Sequence, residues 1–247
     1  MSTRFRWLAP SAILVLVAAC SAAASGSGAP AASTPGPAAS MPAPSLASES
    51  PSAAQPHRVA GQVLGSGTYP GFSVEVPASG WSTSDGYFVI KTGGAVVGLS
   101  VWDVGQVPSD PCHWKASLKD SGRSVGDLVR VLLAQKLRNA TAPTDVTLAG
   151  HSGKYLEWSV PANAVVTGDS DFQGCDDAGN GHLDFVSWMG NGKGERYQQV
   201  AGQVDRLWVL DVDGQRLVVD ATYSPNASAA DRDELAHVAA SLQFVRP

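Results

Sequence analysis

The sequence predicts an α+β domain, an antiparallel β-sheet packed with two or three helices. Short runs rich in β-branched and aromatic residues follow one another through Gly, Pro, Asp and Ser turns, as the strands of an antiparallel sheet do. Two other segments repeat apolar residues at the i, i+3, i+4 spacing of a helix. Residues 58–247, which hold all of these, are enough to bury about 70% of their unfolded surface around a single core.

Taken in order, FSVEVP (72–77), GYFVIK (86–91) and VVGLSVWDV (96–104) are strands bounded by Gly, Ser or Pro. A helix is predicted over 125–137, where Val125, Leu128, Val129 and Leu132 share one face and Ser124 caps the start with Asp127 three residues on. Strands resume with DVTLAG (145–150) and KYLEWSV (154–160), joined by a hairpin turn at Gly150-His151-Ser152-Gly153-Lys154. LDFVSWM (183–189), RYQQVAG (196–202), RLWVLDV (206–212) and RLVVDATYS (216–224) follow. In the third of these, Leu207, Val209 and Asp211 alternate with Trp208, Leu210 and Val212, the pattern of an apolar central strand. Asp213-Gly214 is a strong two-residue hairpin signal. A last helix is predicted over 229–242, with Ser228 and Asp231 as a capping pair and Leu235, Val238, Ala239 and Leu242 as its buried stripe.

This order of elements, the Gly80-Trp81 after the first strand, the LWVLDVDGQRLVVDA hairpin and the SAADRDELAHVAASLQF helix resemble small actinobacterial lipoproteins of the LpqN type. The resemblance implies a PsbP-like α/β/α sandwich and a cell-envelope or interaction protein without enzymatic activity. It carries no functional residue over to this chain.

The first 57 residues have another character. Arg4 and Arg6 precede an apolar run from Trp7 to Ala19, the layout of a secretory signal peptide over 1–19. Val17-Ala18-Ala19-Cys20 resembles a bacterial lipobox, in which Cys20 would receive the lipid and become the first residue. Residues 20–57 are then the lipidated cysteine and a tether: 32 of the 36 residues from 21 to 56 are Ala, Ser, Gly, Pro or Thr. Such a segment has too little apolar surface to offset its ordering entropy. The expected location is extracytoplasmic, anchored to the cell membrane. A net charge of −5 argues against the basic surface that nucleic-acid binding needs.

Cys112 and Cys175 are the only cysteines of the predicted domain, and in an exported protein they are expected to form a disulfide. Asp169, Asp171 and Gln173 occupy the first, third and fifth positions of a calcium-loop pattern, but the twelfth is Asn180 rather than a bidentate Glu, so no metal is expected. The five histidines have no paired spacing, and neither a G-x-S-x-G elbow nor an S-x-x-K pair occurs. Trp81 and Trp114 sit near loops and are the tryptophans expected to face a ligand; Trp102, Trp158, Trp188 and Trp208 lie in strands and are expected in the core.

The chain is therefore expected to be a non-catalytic binding or interaction module of the envelope, without a cofactor, for a glycan, lipid or protein partner. A lipid or glycolipid carrier with an apolar cavity is the alternative, and an envelope hydrolase a more distant one. Replacing Cys20 by Ala should release the protein from membranes and abolish its labelling by a fatty-acid probe; unchanged labelling would end the lipoprotein reading.

Overall fold

In the computed structural model, residues 55–66, 71–168, 170–179, 181–192 and 194–245 are described. The expected signal peptide, Cys20, nearly all of the expected tether and Asp169 lie outside the described residues. The first elements are β1 (His57–Gly61), β2 (Gly71–Val76), β3 (Trp81–Ser84), β4 (Phe88–Lys91), β5 (Val97–Trp102) and β6 (Val104–Pro108). A 3-10 turn (Trp114–Ala116), β7 (Leu118–Asp120) and α1 (Val125–Leu133) follow. Next come β8 (Asn139–Ala140), β9 (Thr144–Leu148), β10 (His151–Ser159), β11 (Val166–Thr167), β12 (Asp171–Phe172), β13 (Val186–Gly190) and β14 (Glu195–Tyr197). The last are β15 (Val204–Val212), β16 (Gln215–Tyr223), α2 (Ala229–Ala240) and β17 (Gln243–Val245).

The fold is α+β. Its main sheet has eight strands in the order β3-β4-β5-β16-β15-β10-β8, with β9 also paired to β10. Its strand pairings are antiparallel. Period-two alternation gives this sheet two buried faces. Val97, Leu99, Val101, Leu210, Val212, Leu217, Val219 and Ala221 point to the first face, where α2 and Phe72, Val74 and Val76 of β2 cover them. Trp102, Leu156, Trp158, Leu207, Val209 and Val218 point to the second, beneath Leu128, Val129 and Leu132 of α1 and Trp188 of β13. The covering strands form their own sheets, β1-β2-β17 on the first face and β14-β13-β6-β7 on the second.

Both helices start as the sequence predicts. Ser124 and Asp127 close one capping box, and Ser228 and Asp231 the other, each satisfying backbone N–H groups that a helix start leaves open. Both end earlier than the apolar spacing suggests. After Leu133 the Gln135 side chain turns inward to the carbonyls of Pro108 and Ser187, and Leu137 takes a left-handed φ of 54°. Asp213-Gly214 joins β15 to β16 as expected; β9 and β10 also form a hairpin, but its turn is Ala149-Gly150, with positive φ at all four turn residues, and residues 151–154, expected in the turn, are already paired in β10.

Two strand expectations are corrected. The run 96–104 is not one strand: the chain turns at Asp103, whose N–H donates to Leu64, and β6 continues in a different sheet. In the run 196–202 only Arg196 and Tyr197 are in a strand, because the side chains of Gln198 and Gln199 are buried and bonded inside the protein.

Leu235, at 0% exposure under α2, is the strongest test of this packing. Leu235→Ala should lower unfolding stability in urea by about 2–5 kcal/mol and Ser228→Ala by about 1 kcal/mol. Near-equal effects would show that the helix is held by its cap rather than by its buried stripe.

Candidate functional site

The disulfide between Cys112 and Cys175 is formed, across a separation of 63 residues. It fixes the chain ahead of the 3-10 turn against the end of β12, where the Asp176 N–H also donates to the Cys112 carbonyl and the Lys115 N–H to the Asp176 carboxylate. In the chain-entropy model such a loop closure contributes about 4 kcal/mol. Phe172, Phe185 and Val160 make a small core beside it.

In the same loop, the Asp171 carboxylate accepts the Leu183 N–H and lies 3.0 Å from His182 Nδ1. The Gln173 amide donates to the Thr167 hydroxyl. Among the described residues, no group of three or more His, Cys, Asp or Glu is arranged to hold a metal ion.

The tryptophans correct the sequence reading in both directions. Trp81 and Trp114, expected to face solvent, are buried at 7% and 9% exposure. The ring of Trp81 belongs to the core on the first face, and its indole N–H reaches Glu234 of α2, which together with Asp231 holds Lys91. The Lys91 bond and the cap hydroxyl of Ser228 draw the Asp231 carboxyl down to about 2. Trp102, Trp158 and Trp188 are core residues as expected, whereas Trp208 is only half-buried. Alternation sends Trp208 to the first face together with Leu210 and Val212, where it packs against the rim of that core and stays partly buried.

Trp208 belongs to a surface strip on β10, β15 and β16. Tyr155 lies directly across from it, ring centroids 5.1 Å apart. One step along the strands, Glu157 pairs with Arg206, whose Nε is 3.2 Å from Glu157 Oε1. The Tyr155 hydroxyl donates to the same carboxylate, and burial, followed by that bond, holds the phenol in its neutral form well above the usual tyrosine range. Tyr223 of β16 completes the strip. Arg206 and Arg232 of α2 both lie over its ring, at 5.2 and 5.8 Å from the centroid.

On the opposite face is a cluster the sequence reading missed. Asp205 is at 0% exposure and accepts from Trp158, Gln198, Gln203, Thr222 and Arg196. Arg196 of β14 also donates to the buried Asp220. Arg138, just beyond α1, bonds Gln135 and Ser187 and lies over the rings of Trp158 and Phe185. Removing one partner of such a buried pair costs about 3–5 kcal/mol. The available signal was an acid at an inward position of an otherwise apolar strand, as Asp220 is in RLVVDATYS.

No family model matches the chain, and no curated protein matches it. Among solved structures, the crystal structure of LpqN involved in cell envelope biogenesis of Mycobacterium tuberculosis is similar at 11% identity and a TM-score of 0.36, over 77% of this chain and 91% of that chain. That likeness assigns no role to any residue described above.

The buried cluster makes stability depend on pH. Burial, against the pull of Arg196, pushes the Asp220 carboxyl up to about 7, while in the unfolded chain it titrates near the usual ~3.9. A carboxyl raised in the folded state adds stability below its unfolded pKa and loses it as pH rises through its folded pKa. The wild-type chain should therefore lose stability relative to Asp220→Asn between pH 4 and pH 8 in urea titrations. A constant gap between the two would show that Asp220 is ionised throughout.

Proposed function

We propose that the chain is a non-catalytic binding module of the cell envelope, held outside the cytoplasm by a lipid on Cys20. The signal-peptide layout and the lipobox-like tetrapeptide support the anchor, and the disulfide suits an oxidising compartment. Among the described residues, no helix is long and apolar enough to cross a membrane.

The observation that carries the reading is the strip of Tyr155, Trp208, Tyr223, Glu157 and Arg206. Large aromatic rings with polar neighbours stay only partly buried there while the apolar side chains of both sheet faces pack into continuous cores. Side chains of this kind give much contact area with little loss of rotamer freedom, which is why they recur in recognition surfaces. The packed cores favour a module that binds on its surface over a carrier that encloses its cargo.

Thr144 is exposed beside Tyr155, and Arg130 is exposed on α1 over the opposite face. A photo-crosslinking residue at Thr144 should capture an envelope component in living cells, and the same residue at Arg130 should not. Equal capture at both positions, or none at Thr144, would refute the reading.

A further inference from the structure

We infer that the strip on β10, β15 and β16 takes an anionic saccharide, its sugar rings lying on Tyr155 and Trp208 and its acidic group held by Arg232 and Arg206. This deepens the binding-module reading and rests on it.

The arrangement follows from the register. On the first face of the main sheet, Tyr155, Trp208 and Val219 form one cross-strand row, Glu157, Arg206 and Ala221 the next, and Ser159, Val204 and Tyr223 the third. Strands lie about 4.8 Å apart and same-face residues about 6.6 Å apart along each strand. Val219 and Ala221 are buried in the core, so the accessible part of the three rows runs over Tyr155, Trp208, Glu157 and Arg206 to the partly buried Tyr223. Its upper row presents two aromatic rings, Tyr155 and Trp208. Its middle row supplies a hydrogen-bonding pair, and in that row Ala221 is small enough to leave the Arg206 guanidinium reaching across to the Tyr223 ring.

The chemistry of the strip is that of a sugar site. Rings of Tyr and Trp present flat apolar faces to the C–H faces of a pyranose, while Glu157 and the Arg206 guanidinium meet hydroxyl groups at its edge. An apolar ligand would leave the Glu157–Arg206 pair desolvated without compensation.

The charge of the strip selects an acidic sugar over a neutral one. Glu157 is the strip's only carboxylate, and the Tyr155 hydroxyl and Arg206 already engage it. Arg232 has the Tyr223 ring as its side-chain contact and no carboxylate partner among the described residues. Two guanidinium groups around one ring, set against a single shared carboxylate, give a locally cationic end on a chain whose net charge is −5. Guanidinium groups hold carboxylates and phosphates through paired N–H donors, and such charge-assisted bonds are the strong ones.

Titration calorimetry of the full-length protein in detergent, with tetragalacturonate as the acidic probe and maltotetraose as the neutral one, tests this. Tetragalacturonate should bind at least about tenfold more tightly. Arg232→Gln should weaken tetragalacturonate about tenfold or more, as the loss of one charge-assisted contact does, and leave the thermal midpoint unchanged. Trp208→Leu should weaken both sugars, and if that variant fails to fold, Arg232→Gln still decides. Equal affinity for the two sugars, or full affinity in Arg232→Gln, overturns the inference. If neither sugar binds while the crosslinker at Thr144 still captures an envelope component, the saccharide falls and the module stands; if capture fails too, both fall.

Discussion

A carboxylate with no access to water must be met by donors from the protein around it, and Asp205 imposes that demand at the middle of the main sheet. An isolated buried charge of this kind would cost several kcal/mol. The answer comes from three stretches of the sequence: the indole of Trp158, the hydroxyl of Thr222, and between residues 196 and 203 the guanidinium of Arg196 and the amides of Gln198 and Gln203. Each has to arrive with its own backbone in place. The short β13–β14 sheet and the chain beyond α1 are therefore held to the main sheet by a polar lattice as well as by apolar contact, and a lattice of directional bonds admits fewer packings than an oily face does.

The two faces of the main sheet consequently work differently. On the second face, polar groups are buried and bonded to one another around Asp205, and the covering layer is fixed in register. On the first face, the covering layer of α2 and β2 is apolar where it touches, and it leaves Trp208 and Tyr155 only partly buried. At that margin alternation still delivers large side chains to the face. A partly covered margin beside a rigid core is a natural place for recognition, because the side chains presented there are positioned by strands rather than by loops.

Much of the architecture was legible in the sequence because its signals are local. Capping boxes, the Asp213-Gly214 turn and the apolar spacing on α1 need only a few neighbouring residues to declare themselves. Strand boundaries at 96–104 and 196–202 were not legible, since they are set by what Asp103 and Gln198 bond to far along the chain. The same holds for exposure. Trp81 lies near a turn and is buried, and Trp208 lies in an apolar strand and is half-exposed, because exposure depends on which part of a face another layer covers. The cluster of Arg138, Arg196, Asp205 and Asp220 gathers residues from separate segments, and nothing in the spacing of four common charged residues marks them as neighbours.

The three-stranded sheet has a mechanical meaning. Its order places β1 at an edge, joined sideways to β2 alone, while β2 is also held by β17 and contributes Phe72, Val74 and Val76 to the core. Most of β1 is exposed, and only its last residue is buried. Force arriving along the chain from the N-terminal side meets this strand first. Peeling it away would break a handful of backbone hydrogen bonds and uncover little apolar surface, lengthening the chain before any load reaches the cores. β1 is therefore placed to yield first, so that a pull from its N-terminal side is spent on one edge strand before it strains the folded body.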